Sequence, residues 1–136
     1  MVVVDTNVVA YLLIEGERTA EAQALYARDP DWRSESFLLV EFSNMLATYV
    51  RNGRLDSEAA AGLLAGAERI LTGTIALPHK RALEIALEFG VSAYDARFLA
   101  ASRSLGSKLV TEDAKLRQAA PALTQTLAQA QAAARA

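Results

Sequence analysis

The stretch Val2-Val3-Val4-Asp5-Thr6-Asn7 decides the fold. Three consecutive β-branched residues are too short a run for a helix, and an apolar run with no alternation reads as a strand buried on both faces. It stops abruptly at Asp5. A strand covered on both sides belongs to a parallel sheet flanked by helices, and the rest of the chain supplies both kinds of element. Thr6 to Leu13 predicts a helix, resumed from Glu17 to Arg28 after the break at Gly16 and stopped by Pro30. Trp32 to Glu35 reads as a short strand or extended link. Ser36 opens an amphipathic helix with Phe37, Leu38, Phe42, Met45, Leu46 and Tyr49 at helical spacing. After Asn52-Gly53, Asp56 or Ser57 caps a helix running to Leu71. Thr74 to Leu77 predicts a strand closed by Pro78. Helices from His79 to Phe89 and from Ser92 to Leu105 end at Gly90 and Gly106. Lys108 to Thr111 predicts a strand, and Asp113 opens a short helix. Strands alternating with helices imply an α/β sandwich with a mainly parallel sheet.

The length of 136 residues suits one domain with one core. The expected domain spans residues 1–117. Residues 118–136 read as an Ala/Gln-rich tail, either a short helix starting near Pro121 or disordered. With no cysteine, disulfide scaffolds and thiolate metal sites are excluded. The single histidine, His79, leaves no His-rich metal site and makes a Ser–His–Asp triad hard to assemble. No apolar run approaches the roughly 20 residues of a membrane span, and no basic stretch precedes an apolar one at the amino terminus, so a soluble cytoplasmic protein is expected. Fourteen Lys and Arg against sixteen Asp and Glu is not the profile of a protein that coats nucleic acid, but it permits a local groove for a short piece.

Most of the carboxylates fall where solvated groups belong. Four do not. Asp5 ends a buried strand, and in open α/β sheets ligands collect in the crevice beyond the carboxyl ends of the strands; the position also suits an N-cap. Glu41 lies at the edge of its helix's apolar stripe, about 40° from both Phe37 and Met45, where snorkelling into water is the other reading. Asp95 falls inside an apolar arc, about 40° from Leu99 and about 60° from Phe98. A lone charge there needs a partner, although Ser92-Ala93-Tyr94-Asp95 also has the form of a capping box. Asp113 follows a strand and precedes a helix. Each has a structural explanation alone; four projected to one end of one sheet do not. Like charges that close repel and raise one another's pKa, and a hard divalent cation removes that cost. Oxygen-only ligands suit Mg²⁺ or Mn²⁺ rather than zinc. Such a cation can clamp a phosphate, activate water and stabilise a leaving oxygen, which points to phosphodiester hydrolysis.

Val2-Val3-Val4-Asp5-Thr6-Asn7, Ser36-Phe37-Leu38-Leu39-Val40-Glu41, Gly90-Val91-Ser92-Ala93-Tyr94-Asp95-Ala96 and Leu109-Val110-Thr111-Glu112-Asp113 together resemble PIN-domain ribonucleases, above all the VapC-type toxins of bacterial toxin–antitoxin pairs. The order and the separations of 36, 54 and 18 residues between the four acids fit that family, over roughly residues 2–117. The resemblance implies a PIN-like three-layer sandwich and a metal-dependent endoribonuclease. Asp5, Asp95 and Asp113 would bind Mg²⁺ or Mn²⁺ directly or through water, and Glu41 would position the attacking water or a second ion. Thr6, Asn7, Ser92 and Thr111 would orient the carboxylates. Glu112 does not fall on the family position. The resemblance also implies an RNA substrate, a small antitoxin that fills the groove near the site, and a homodimer; apolar residues on the helices of 37–71 are candidates for either protein contact. Arg97 and Lys115, near the acids in sequence, are candidates for RNA phosphate contact.

The alternative is a catalytically silent PIN fold that binds RNA or a protein. A haloacid-dehalogenase-like phosphatase would need a second Asp two residues after Asp5, where Asn7 stands. A phospho-receiver domain would need a second acid beside the first, and glycine patterns for nucleotide phosphates are absent.

Overall fold

The computed structural model describes residues 1–135. The chain runs β1 (Val2–Val4), α1 (Thr6–Leu13), α2 (Thr19–Arg28), β2 (Trp32–Glu35), α3 (Phe37–Arg51), α4 (Ser57–Ile70), β3 (Leu71–Ile75), α5 (His79–Phe89), α6 (Ala93–Leu105), β4 (Leu109–Val110), α7 (Ala114–Ala119), β5 (Thr124–Gln125) and α8 (Leu127–Arg135). The five strands form one sheet in the order β3-β2-β1-β4-β5, and every pairing is parallel. The valine run therefore lies at the centre: Val2 pairs with Trp32 on one side and Val4 with Val110 on the other. Val3 and Val4 are fully buried.

The strand order decides where the helices lie. From β1 through β2 to β3 the chain steps one way across the sheet; from β3 it jumps back over β1 to β4. Right-handed crossovers then place α1 to α4 on one face and α5 and α6 on the other. α6 packs against β1, β2 and β4 with α5 beside it, whereas α1, α2, α3 and α4 pack on one another and α8 joins α2. This is the expected three-layer α/β sandwich. The reversal of direction between β1 and β4 opens a crevice at the carboxyl ends of those two strands.

Local chemistry explains most element ends. Asp5, Asp56 and Asp113 accept backbone amides at the starts of α1, α4 and α7, and the Ser92 hydroxyl does so for α6. Gly90 and Gly106, with φ of 66° and 68°, close α5 and α6 in the left-handed conformation that a Cβ disfavours. Ser36 precedes α3 but makes no cap; the Glu35 carboxylate accepts the Phe37 amide instead, at 3.1 Å. The third strand begins at Leu71, not Thr74, and ends at Ile75. Leu71 caps α4 and pairs with Trp32, so helix passes into strand without a loop. Among the exposed large apolar residues, only Val40 lies within 37–71; Leu83, Leu87 and Tyr94 lie beyond it.

The carboxyl-terminal segment is built into the domain. β5 extends the sheet beside β4, with the Leu109 amide donating to the Leu123 carbonyl at 2.8 Å and the Thr111 amide to Gln125 at 2.9 Å. Helix α8 follows, with Leu127 fully buried and Ala130 nearly so. Thr126 and Gln129 cap its start reciprocally: the Gln129 amide donates to the Thr126 hydroxyl at 3.1 Å and the Thr126 amide to Gln129 Oε1 at 2.9 Å. A boundary at residue 117 thus cuts through a packed unit, and Leu123 and Leu127 do not share one helix: Leu123 lies in the turn before β5 and Leu127 opens α8. Replacing Leu127 by Ala is expected to lower stability by about 2–4 kcal/mol, read as a lower urea midpoint; an unchanged midpoint would mean that α8 packs without contributing.

Candidate active site

The chain leaves β1 at a fixed place. The Ser34 hydroxyl donates to the Val4 carbonyl at 2.6 Å, and the Asp5 amide donates to the Val110 carbonyl at 3.4 Å, so both neighbouring strands hold the turn. Asp5, only 9% exposed, caps α1 through the Val8 amide at 3.1 Å. Glu41 reaches the same region from the second turn of α3, where the Thr6 hydroxyl donates to its Oε1 at 2.6 Å. Asp95, half-buried, comes from the first turn of α6, its amide donating to the Ser92 hydroxyl at 3.0 Å. Asp113, exposed, follows β4; its Oδ1 accepts the Lys115 and Leu116 amides and its own amide donates to the Thr111 hydroxyl at 3.1 Å.

All four carboxylates line one pocket of about 600 Å³, together with Thr6 and Asn7. Thr111 and Ser92 stand behind it and hold Asp113 and Asp95 by their amides. The electrostatics bind the group into a unit. Burial pushes Asp5 up from 3.8 to about 6, against the Thr111 hydroxyl and the Val8 amide, and the charges of Glu41 and Asp113 push the same way. Burial also raises Asp95, with Asp113 adding to it. Two of the acids are thus held above their ordinary range, chiefly by burial and further by their acidic neighbours, and no basic side chain lines the pocket.

The residues fit a hard divalent cation. The donors are all oxygen, and Asp113 accepts both amides on one oxygen, leaving Oδ2 without a hydrogen bond among the described residues. Among the described residues no group of three or more His, Asp or Glu side chains stands close enough to hold a metal ion by itself. Mg²⁺ does not require one, since it keeps several of its waters and takes only one or two carboxylates directly.

Two residues singled out by proximity in sequence lie elsewhere. Arg97 does not line the pocket; two residues after Asp95 on a helix is about 200° around the axis. Its guanidinium bonds Glu35 Oε2 at 3.4 Å, the Leu77 carbonyl at 3.1 Å and His79 Nδ1 at 2.6 Å. Lys115 is exposed, and only its backbone amide touches the acid group. Glu112 is structural: Oε1 pairs with Arg18 at 2.9 Å and Oε2 accepts the Leu127 amide at the start of α8. The sequence reading passed over three features. Glu35 is buried and paired with Arg97. Asn44 lines the pocket, as its spacing of three residues from Glu41 on one helix face would indicate. Phe37 and Tyr94 meet there as a stacked pair.

Comparison with known proteins identifies relatives of the chain as a whole. The family model described as PIN domain matches residues 2–121. The chain is similar to Ribonuclease VapC3 of Pyrobaculum aerophilum, with 29% identity over 125 residues, which is 89% of this chain and 95% of that protein. Its fold is similar to the crystal structure of PAE2754, also from Pyrobaculum aerophilum, with a TM-score of 0.79 and 21% identity over 98% of this chain and 93% of the other. At that identity the structural likeness speaks for the fold.

Two outcomes follow from the geometry. Because folding raises Asp5 from 3.8 to about 6, the folded protein holds a proton that the unfolded chain has lost, and the contribution of Asp5 to stability falls as pH rises across that window. In EDTA at neutral pH, Asp5→Asn is therefore expected to be more stable than wild type, by up to about 3 kcal/mol, with the difference vanishing toward pH 4. Thermal melts of both proteins across that range check this; a less stable variant at neutral pH would show that Asp5 is satisfied as it stands. Arg97→Met strands the Glu35 carboxylate and is expected to cost about 3 kcal/mol. Adding Glu35→Gln to that variant should recover most of the loss in the same melts.

Proposed function

The chain belongs to the PIN-domain family, and we propose that it is a divalent-metal-dependent endoribonuclease, the toxin of a toxin–antitoxin pair. One observation carries the reading: Asp5, Glu41, Asp95 and Asp113, drawn from four separate elements, line a single pocket at the reversal point of the sheet. The similarity to a protein named Ribonuclease VapC3 supports RNA as the substrate. Among the described residues no helix is long and apolar enough to cross a membrane, in keeping with action on RNA in the cytoplasm.

In this reading Asp5, Asp95 and Asp113 hold Mg²⁺ or Mn²⁺, directly or through water. When bound, such a cation supplies positive charge to the phosphodiester and to the attacking water. The remaining work belongs to the chain. Thr6 occupies Glu41 Oε1, so Oε2 is the atom that would orient the attacking water and take its proton. Val8, Lys115 and Leu116 amides fix Asp5 and Asp113 from behind, so the donors lose little freedom when the substrate arrives. Water oxygen bonds to phosphorus as the bond to the 3′-oxygen breaks; the departing oxygen takes a proton from solvent and Glu41 returns its proton to solvent, leaving a 5′-phosphate and a 3′-hydroxyl. A second copy of the chain and a small antitoxin protein complete the proposed assembly.

Purified protein with a structured RNA and Mg²⁺ or Mn²⁺ tests the reading, beside EDTA and the Asp5→Asn and Asp95→Asn variants. Cleavage lost in EDTA and reduced at least a hundredfold in each variant is expected. Cleavage at the wild-type rate by either variant would overturn the site. Calorimetry showing that Mn²⁺ binds while no RNA is cut would favour a binding module with the same fold.

A further inference from the structure

We propose that the stacked rings of Phe37 and Tyr94 form a base-binding subsite, which takes one unstacked nucleobase of a single-stranded RNA beside the phosphodiester at the acid group. The inference rests on the endoribonuclease reading and deepens it by naming what holds the substrate.

Tyr94 is a large aromatic ring at the pocket that the core does not use. It lies in the first turn of α6, immediately before Asp95, yet it is 62% exposed, so its ring is not part of the core. The Phe37 ring, from the first turn of α3, lies nearly parallel to it, with centroids 5.5 Å apart and planes 12° apart. Phe37 is half-buried and packs on the core, so the pair has a fixed inner ring and an outer ring open to solvent. A parallel pair of this kind fixes the plane of the outer ring and presents a flat apolar face to which a third planar ring adds. Both rings line the acid pocket.

The charge of the pocket narrows what that face can take. Its lining holds four carboxylates and no Lys, Arg or His. RNA cannot be gripped there through its phosphates by protein cations, which is the usual source of affinity. Recognition within the pocket falls to groups that attract bases: an aromatic face, and the amides of Asn7 and Asn44, which line the same cavity and can bond base edges in either direction. Single-stranded RNA offers splayed bases that stack on such rings, whereas a duplex keeps its bases stacked within itself. A partner helix would need a continuous apolar stripe. Here the strongly exposed apolar residues at the pocket are Tyr94 and Val40.

Single-stranded hexaribonucleotides with 2-aminopurine walked through each position test the proposal. They are titrated in Mg²⁺ by stopped-flow fluorescence, ahead of cleavage, with single-turnover cleavage measured on the same strands. Wild type should quench the probe at one position. Tyr94→Ala should abolish that quenching and weaken binding about tenfold, seen as a raised half-saturating concentration with the maximal single-turnover rate little changed, while Tyr94→Phe stays within about twofold of wild type. An abasic site at the responsive position should mimic Tyr94→Ala, and combining the two should add no further loss. Tyr94→Ala that binds and cleaves as wild type does, with an unchanged circular dichroism spectrum, would overturn the subsite and leave the nuclease standing. Wild type that neither binds nor cuts any strand in Mg²⁺ or Mn²⁺ would overturn both. An arginine-rich peptide whose affinity falls in Tyr94→Ala, with 2-aminopurine quenching retained, would make the surface a peptide site and overturn the proposal.

Discussion

A carboxylate at the end of a strand that has no solvent on either face is the constraint on which the rest of this structure depends. Asp5 follows three buried valines, is bonded through its amide to β4, and stands where the strand order reverses. A fold that needed only an N-cap at this point would be served equally by Ser or Asn, neither of which carries a charge into the interior. Asp5 instead keeps a charge that burial opposes, and two further acids at the pocket increase the opposition. Removing solvent from an unpaired anion costs stability, and proteins retain such groups where function requires them. The cost is confined to one place because hydrogen bonds fix the backbone around it on both sides.

Glu35 shows what the same chemistry looks like when it serves the fold. It too ends a strand, β2, and it is more deeply buried than Asp5, at 1% exposed. Yet Glu35 accepts from Ser36, from the Phe37 amide and from Arg97, so its charge is met by a cation and two neutral donors. That network ties the start of α3 to the middle of α6, the two helices that carry Glu41 and Asp95. Two strand-end carboxylates thus divide the labour: one is neutralised internally and sets the spacing of the helices, the other is left short of a partner and faces the pocket.

This distinction marks the limit of what could be read from residues alone. The buried valine strand, the alternation of strands and helices and the capping positions all follow from local patterns, and they yield the parallel α/β sandwich and the crevice beyond its strand ends. That Asp5, Glu41, Asp95 and Asp113 share one pocket follows from local signals: Asp5 and Asp113 follow strands, Glu41 borders an apolar stripe and Asp95 falls inside an apolar arc. Glu35 gave no such signal, because its partner is 62 residues away, and no local spacing reports a pairing of that range. Arg97 stands outside the pocket lining for the complementary reason: nearness in sequence to Asp95 ignores the turn of the helix. The carboxyl-terminal strand escaped because two residues of β5 carry no periodicity. Thr126-x-x-Gln129, however, was a readable helix start hidden in a low-complexity stretch.

The composition of the pocket has a consequence for how substrate and cation depend on one another. With four carboxylates and no basic group in its lining, the metal-free pocket repels a phosphodiester, and in the proposed base subsite the aromatic face and the Asn7 and Asn44 amides would have to overcome that repulsion. A divalent cation reverses the sign of the local field at the point where the phosphate must sit. Substrate and cation then raise each other's affinity by the same factor, as any two ligands coupled through one site must. The usual route to RNA affinity, many lysines and arginines along a groove, produces tight binding anywhere on the strand and a steep dependence on salt. A site that recruits the phosphate through a cation and the base through stacking confines its grip to one nucleotide step. Such a grip is compatible with a chain whose net charge is −2.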